Sequence, residues 1–199
     1  MCQRFAKDQS GITATEFGLI APVFILLLMG TLDMGHTLYM QSVLQGVVQK
    51  TARDATLESS SEAAKQAELD AMVTNNVLNL AKNATVTISR RYFKDFTKAA
   101  QSVAEPFTDT NGNGICDAGE PYQDNNNNSS WDKDGGDAGQ GGAKDAVLYT
   151  ADVSYPRLFP MHGLMGLPAT AEVQATTVLA NQPYGDQAQY GAATLRNCA

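Results

Sequence analysis

The 199 residues predict an α+β chain: a long N-terminal helix, then a small domain of a helix and an antiparallel sheet interrupted by an acidic loop. Three observations carry this reading. Residues 17–32 read FGLIAPVFILLLMGTL without a charge. Three later segments alternate apolar and polar residues, the period of a half-buried strand. Residues 105–145 hold nine acids and two bases, which accounts for the whole net charge of −7 and leaves the rest of the chain neutral.

The apolar run needs its flanks. Sixteen helical residues rise about 24 Å, short of the roughly 30 Å hydrocarbon core of a bilayer. Starting the helix at Ile12 lengthens the run to about 31 Å, enough to span, at the cost of including Glu16. A secretory signal peptide would have MCQRFAK as its charged region, but no A-x-A cleavage site follows the leucines. The helical pattern instead continues through Leu38, Val43, Leu44, Val47 and Val48, with Gln41, Gln45, Gln49 and Lys50 between them. This predicts a spanning helix that emerges as an amphipathic stalk. Pro22 is expected to bend it, and Gly18, Gly30 and Gly35 thin its surface. Arg4 and Lys7 before the run favour a cytoplasmic N-terminus. Asp33 and His36 share a face where the helix leaves the membrane and are read as interface markers.

Ser10-Gly11-Ile12-Thr13-Ala14-Thr15-Glu16-Phe17 resembles the processing motif of type IV prepilins, particularly the Tad/Flp branch. The stretch from Phe17 to Ala55, with Pro22 in the apolar run, Asp33 at its end and Arg53 in the stalk, is similar to TadE-like pseudopilins. The resemblance covers about 56 residues. His36 departs from the expected polar residue, and Phe17 replaces the Tyr of major Flp pilins, which favours a minor pilin. The resemblance implies a leader of residues 1–11, cut after Gly11 by a prepilin peptidase to leave Ile12 first. It further implies assembly roles for Glu16 and Phe17, with other pilins or pseudopilins and Tad inner-membrane machinery as partners. Such a chain would sit in the inner membrane with its C-terminal domain in the periplasm, or enter a pilus serving adhesion or surface attachment. The chemistry is consistent: hydrogen at Gly11 leaves the scissile bond accessible, and cutting frees a protonated amine at Ile12. Glu16, one turn on, supplies the opposite charge to its own N-terminus or a neighbour's. The bland reading makes Glu16 a carboxylate at a helix start.

Residues 12–56 are thus assigned to the transmembrane and stalk helix, and residues 57–199 to the periplasmic domain. Ser59-Ser60-Ser61-Glu62 is a capping box that starts a second helix. Its expected apolar stripe is Ala64, Ala67, Ala71, Met72, Val77, Leu78 and Ala81. Strands are expected from Ala84 to Phe93, from Ala146 to Tyr155 and from Ala171 to Leu179.

The acidic loop contains a repeat. EPFTDTNGNGICDAG (105–119) and EPYQDNNNNSSWDKD (120–134) align at a 15-residue offset. In the first copy Asp109, Asn111, Asn113, Gly114, Asp117 and Glu120 fall at positions 1, 3, 5, 6, 9 and 12 of the calcium-loop template, and Ile115 can offer its carbonyl. Asp124 starts the next loop too soon for an exit helix, so a helix-less tandem site, a structural Ca²⁺ clip, is expected. The second copy is degraded: Ser129 replaces the turn glycine and Gly135 the closing glutamate. Asp124, Asn126, Asn128, Asp132 and Asp134 remain its candidate ligands, so one or two ions are open. The rival is a disordered Asn/Asp/Gly linker.

Several functions are disfavoured. No basic surplus exists to neutralise nucleic-acid phosphates. His36 and His162 lie far apart, and neither a nucleophile elbow nor a P-loop is present, so no enzyme is expected. Cys116 and Cys198 can pair if they lie outside the cytoplasm, with Cys2 reduced; three unpaired thiols are the alternative. The favoured function is a TadE-like pseudopilin assisting assembly of a Tad/Flp-type pilus or secretion machine. The alternative is an uncleaved, membrane-anchored calcium-binding or adhesive protein.

Overall fold

The structure is a computed structural model that describes residues 12–55, 63–159, 163, 166–182 and 189–199. The leader (1–11), with Cys2 and Gly11, the capping box at 59–62 and His162 lie outside the described residues.

The N-terminal pattern folds as one helix, α1 (Ile12–Ala55), of 44 residues with Pro22 inside it. Its two halves meet different surroundings. From Ala14 to Leu32 the side chains are exposed or half-buried, with Phe17, Leu19 and Ile20 among the most open. The stretch is long and apolar enough to cross a membrane, and none of its side chains is buried among the described residues. From Met40 onward every fourth residue turns inward: Met40, Leu44, Val48 and Ala52 are buried.

That stripe lies on a sheet. β1 (Thr85–Phe93), β4 (Ala146–Pro156) and β5 (Thr170–Ala180) pair antiparallel, within a residue of the expected strands. A two-residue strand, β3 (Asp137–Ala138), adds to the far edge, giving the order β3-β1-β4-β5. Tyr149, Ala151, Val153 and Tyr155 of β4 alternate inward with Ala171, Val173 and Ala175 of β5, and with the α1 stripe they form the main core. The expected α+β architecture is present.

The second helix, α2 (Ala63–Leu80), supplies Val73 and Val77 to this core. Its stripe differs from the expected one: Leu69, Val73 and Val77 are buried, whereas Ala64, Ala67, Ala71 and Met72 are exposed. Alanines bury little apolar area, so the branched residues at i, i+4 and i+8 decide which face turns inward. A polar lock holds the helix down. Arg90 on β1 donates through Nη1 to Asp70 Oδ2 (3.0 Å), Tyr149 donates to Asp70 Oδ1 (3.0 Å), and the Arg90 guanidinium lies 4.9 Å from the Tyr149 ring centroid.

Contacts along α1 orient the domain. Gln140 donates to the Ala55 carbonyl (2.9 Å), Gln41 to that of Gln174 (2.6 Å), and Tyr155 to Thr37 Oγ1 (3.2 Å). Arg157, just past β4, pairs with Asp33 (2.6 Å). The Pro156/Thr170 end of the β4–β5 pair therefore faces the apolar half of α1, while the opposite end of the sheet lies about 33 Å further along the helix axis. Asp33 and His36 are anchoring residues, His36 packing edge-on against Tyr155 at 5.4 Å.

Besides β3, three elements extend the expected set. A short helix, α3 (Phe96–Gln101), starts on an Asp95 cap whose carboxylate accepts from Lys98 N–H (2.9 Å). β2 (Pro121–Asp124) and β6 (Thr194–Asn197) form a separate two-stranded ribbon.

Because Leu44 is fully buried and Leu38 is 59% exposed, substitution should separate the two faces of the stalk. Leu44→Ala is expected to cost about 2–4 kcal/mol, and Leu38→Ala under about 0.5 kcal/mol, in thermal melts followed by circular dichroism.

Candidate functional site

The candidate site is built by the two repeat copies. In the first, the Asp109 carboxylate caps its own loop. Oδ1 accepts from Gly112 (2.6 Å) and Asn113 (3.2 Å) N–H, and Oδ2 from Gly114 N–H (2.7 Å). Asn111 Oδ1 accepts from Asn113 N–H (3.0 Å), and Asn113 Oδ1 from Ile115 N–H (2.8 Å). Both amide groups then donate Nδ2–H to one atom, Asp117 Oδ2, at 2.8 and 2.6 Å. Side chains at positions 1, 3, 5 and 9 thus wrap one small loop. Gly112 and Gly114 take φ of +75° and +77°, the left-handed region that this tight winding requires.

The second copy repeats this network. Asp124 accepts from Asn128 (3.2 Å) and Ser129 (2.9 Å) N–H, and Asn126 and Asn128 donate to Asp132 Oδ2 at 3.0 and 2.6 Å. Asn127 (φ +61°) and Ser129 (φ +68°) adopt the conformations of Gly112 and Gly114. Loss of the turn glycine has therefore not changed the backbone. Asn tolerates that region better than most residues, while Ser129 carries some strain.

The closing residues correct the reading of the second copy. Glu120 closes the first loop: Oε1 accepts from Thr110 N–H (2.7 Å), Oε2 from Asp117 N–H (3.0 Å), and its own N–H donates to the Asp117 carbonyl (3.0 Å). Fifteen residues on, the equivalent donors are Asn125 and Asp132. Glu105 accepts from both (2.7 and 3.1 Å), and its N–H donates to the Asp132 carbonyl (3.0 Å). Glu105, at the start of the first copy, stands where Gly135 appeared to leave a gap. A side chain at 135 is barred in any case: φ is +68°, and a Cβ would fall 2.7 Å from the Val103 carbonyl oxygen. Each copy thus closes the other, Glu105 the second and Glu120 the first.

Backbone pairing holds this exchange. Thr108 N–H donates to the Pro121 carbonyl and Gln123 N–H to that of Pro106, both at 2.8 Å, across a Phe107–Tyr122 bridge. These are equivalent residues of the two copies, so the loops are related by an approximate local two-fold. Trp131 stacks edge-on to Phe107 (centroids 5.4 Å) and donates to the Glu105 carbonyl (2.9 Å). β6 runs along β2, and Cys198 of the C-terminus is joined to Cys116 by a disulfide with Cα atoms 5.7 Å apart. The bridge closes an 82-residue separation and fastens the C-terminus to the first loop.

Electrostatics distinguish the copies. In the second, Arg91 from β1 pairs with Asp132 (2.5 Å) and Asp134 (2.6 Å), and Arg196 from β6 with the buried Asp124 (2.6 Å). The two aspartates hold the Arg91 guanidinium well above its ordinary value. In the first copy Asp109, Asp117 and Glu120 carry no salt bridge among the described residues. Backbone N–H groups hold Asp109 (Gly114 foremost) and Glu120 (Asp117 foremost) below the ordinary carboxylate range. Burial pushes Glu105 the other way, helped by the charges of Asp124 and Asp132. Among the described residues no three acid, histidine or cysteine side chains gather as a metal cage by themselves, so any cation here needs amide or backbone oxygens as well.

At the other end, Ile12 is the first residue of α1, and Glu16 and Phe17 lie in its exposed apolar half. Residues 11–53 match the family model described as TadE-like protein. No curated protein and no solved structure matches the chain significantly.

The glutamates predict a pH order. Glu105, raised above 4.5, loses its proton late, so ionising it costs stability as pH rises from the unfolded value through the folded one. Asp109 and Glu120, lowered from 3.8 and 4.5, contribute stability above those values that is lost as pH falls through their folded ones. In a ¹³C carboxyl NMR titration in chelator, Glu105 should protonate at higher pH than Glu120; the reverse order would contradict the burial and acidic surroundings assigned to Glu105.

Proposed function

We propose that the chain is a TadE-like pseudopilin, a minor pilin of a Tad/Flp-type pilus or related secretion machine, that acts by assembly rather than catalysis. The observation that carries the reading is the match of residues 11–53 to the TadE-like family, which begins at Gly11, with Glu16 one turn into an uncovered apolar helix. A prepilin peptidase removes residues 1–11. The new amine at Ile12 and the Glu16 carboxylate then form the charge pair, within one subunit or between neighbours, that sets the helix in register. Phe17 packs beside it. The helix holds the protein in the inner membrane with the domain on the periplasmic side. Mobility on gels tests this: wild type co-expressed with the peptidase should lose its leader, whereas Gly11→Arg should keep it. An unprocessed wild type would favour the uncleaved, membrane-anchored alternative.

The distal module is read as a calcium clip. The donor set suits the ion: Asp109, Asn111, Asn113, Asp117, Glu120 and the Ile115 carbonyl are hard oxygen ligands of the kind Ca²⁺ takes. The amides of Asn111 and Asn113 already converge on Asp117, and turning each about its last torsion exchanges N–H for C=O. A bound ion would offset crowded carboxylates in the first copy that no basic side chain pairs with among the described residues. The second copy, with Asp124, Asn126, Asn128 and Asp132, already carries Arg91 and Arg196 as internal cations, which leaves the first copy as the ion-dependent one. Calcium in excess of its dissociation constant should raise the melting temperature by several degrees over chelator in wild type, and not in Asp109→Ala. No chelator effect on wild type would remove the clip.

A further inference from the structure

We propose that Leu158 and Leu167, at the end of the β4–β5 hairpin that faces Asp33, form a second membrane contact, an apolar surface that rests in the lipid interface beside the point where α1 leaves the bilayer. This rests on reading α1 as the membrane span. The tip is placed by Arg157: Nη1 pairs with Asp33 (2.6 Å), Nε donates to the Pro168 carbonyl (3.0 Å), and its backbone N–H donates to the Ala169 carbonyl (3.2 Å). Leu158 N–H adds a bond to Asp33 Oδ1 (3.3 Å). One guanidinium thus joins both ends of the loop to the helix residue at which the charge-free run stops. Leu158, Pro168 and Ala169 are thereby held at that level.

Its composition suits lipid. From Leu158 to Ala171 the sequence contains no Asp, Glu, Lys or Arg, the longest such stretch outside α1. Leu158 and Leu167 are 53% and 42% exposed although Arg157 beside them is fully engaged with Asp33 and Pro168. Exposed leucines continuous with a spanning helix extend one apolar surface into the interface, where burial needs no partner protein. Asp33 is accounted for as well: its carboxylate enters the interface already paired, which lowers the cost of holding it there. Two contacts, helix and loop, would fix the rotation of the domain about the helix axis and hold the acidic module away from the membrane.

Site-directed fluorescence tests this in the full chain carrying Cys2→Ser, with the Cys116–Cys198 bridge intact. Single cysteines at Leu27, Leu167 or Leu195 are labelled with NBD and the protein is placed in phosphatidylcholine/phosphatidylglycerol vesicles containing doxyl-labelled lipid. Leu195, 79% exposed on β6, is the membrane-distal control. The expected result is quenching at Leu27 and Leu167 several-fold above that at Leu195. Leu158→Cys serves as a second loop position. Quenching at Leu27 but not at Leu167 or Leu158 would overturn the proposal and leave the span intact. Quenching at none of them would overturn both. A blue shift at Leu167 that grows with protein density without lipid quenching would assign the face to a second copy, and also overturns it.

Discussion

The structure depends on one helix belonging to two environments at once. Up to Leu32, α1 offers apolar side chains that are not buried among the described residues; from Met40 it offers a buried stripe without which β4 and β5 would have no second layer. A lone antiparallel sheet with one apolar face must cover it, and here the cover is the continuation of the membrane segment. The apolar segment and the core therefore share one continuous helix rather than being joined by a tether. Asp33, where the two environments meet, is held by Arg157 instead of being left as an unpaired charge.

From that constraint the positions of the remaining parts follow. The Pro156/Thr170 end of the β4–β5 pair is turned to the apolar half of the helix, and the repeat module hangs from the other end of the sheet, joined through Arg91, β3 and the loop before β2. The module is nearly self-contained: reciprocal glutamates, a two-stranded ribbon and a disulfide give it connections that a polar linker would lack. Its acidity is organised, with one copy paired with arginines and the other held by backbone N–H groups and the amides of Asn111 and Asn113. That asymmetry is what makes a cation a sensible partner for the first copy.

Much of this was legible in the residues. The charge-free run, the strand alternations and the 15-residue repeat are local patterns, and each has its structural counterpart at nearly the expected boundaries. What escaped was non-local. Glu105 was invisible as a closing residue because the template looks for position 12 downstream, whereas the local two-fold supplies it from upstream. The offset Glu105/Glu120 in the repeat was the available signal, since two copies that each begin with Glu can close one another. β6 escaped because TLRN has no alternation long enough to read, and its pairing depends on β2 and the Cys116–Cys198 bridge. The α2 stripe was misjudged by counting alanines equally with Leu69 and Val73. Arg157 and Arg91 gave no sequence signal: their partners lie 124 and 41–43 residues away.

The central claim is that α1 survives whole in the mature protein, as membrane anchor and as core. The intact mass of the chain recovered from alkali-washed membranes tests it most directly. The account predicts a single species beginning at Ile12, with Cys116 and Cys198 oxidised. A mature chain beginning beyond Gly35, found in the soluble fraction, would mean that the apolar half is a discarded signal and would contradict it.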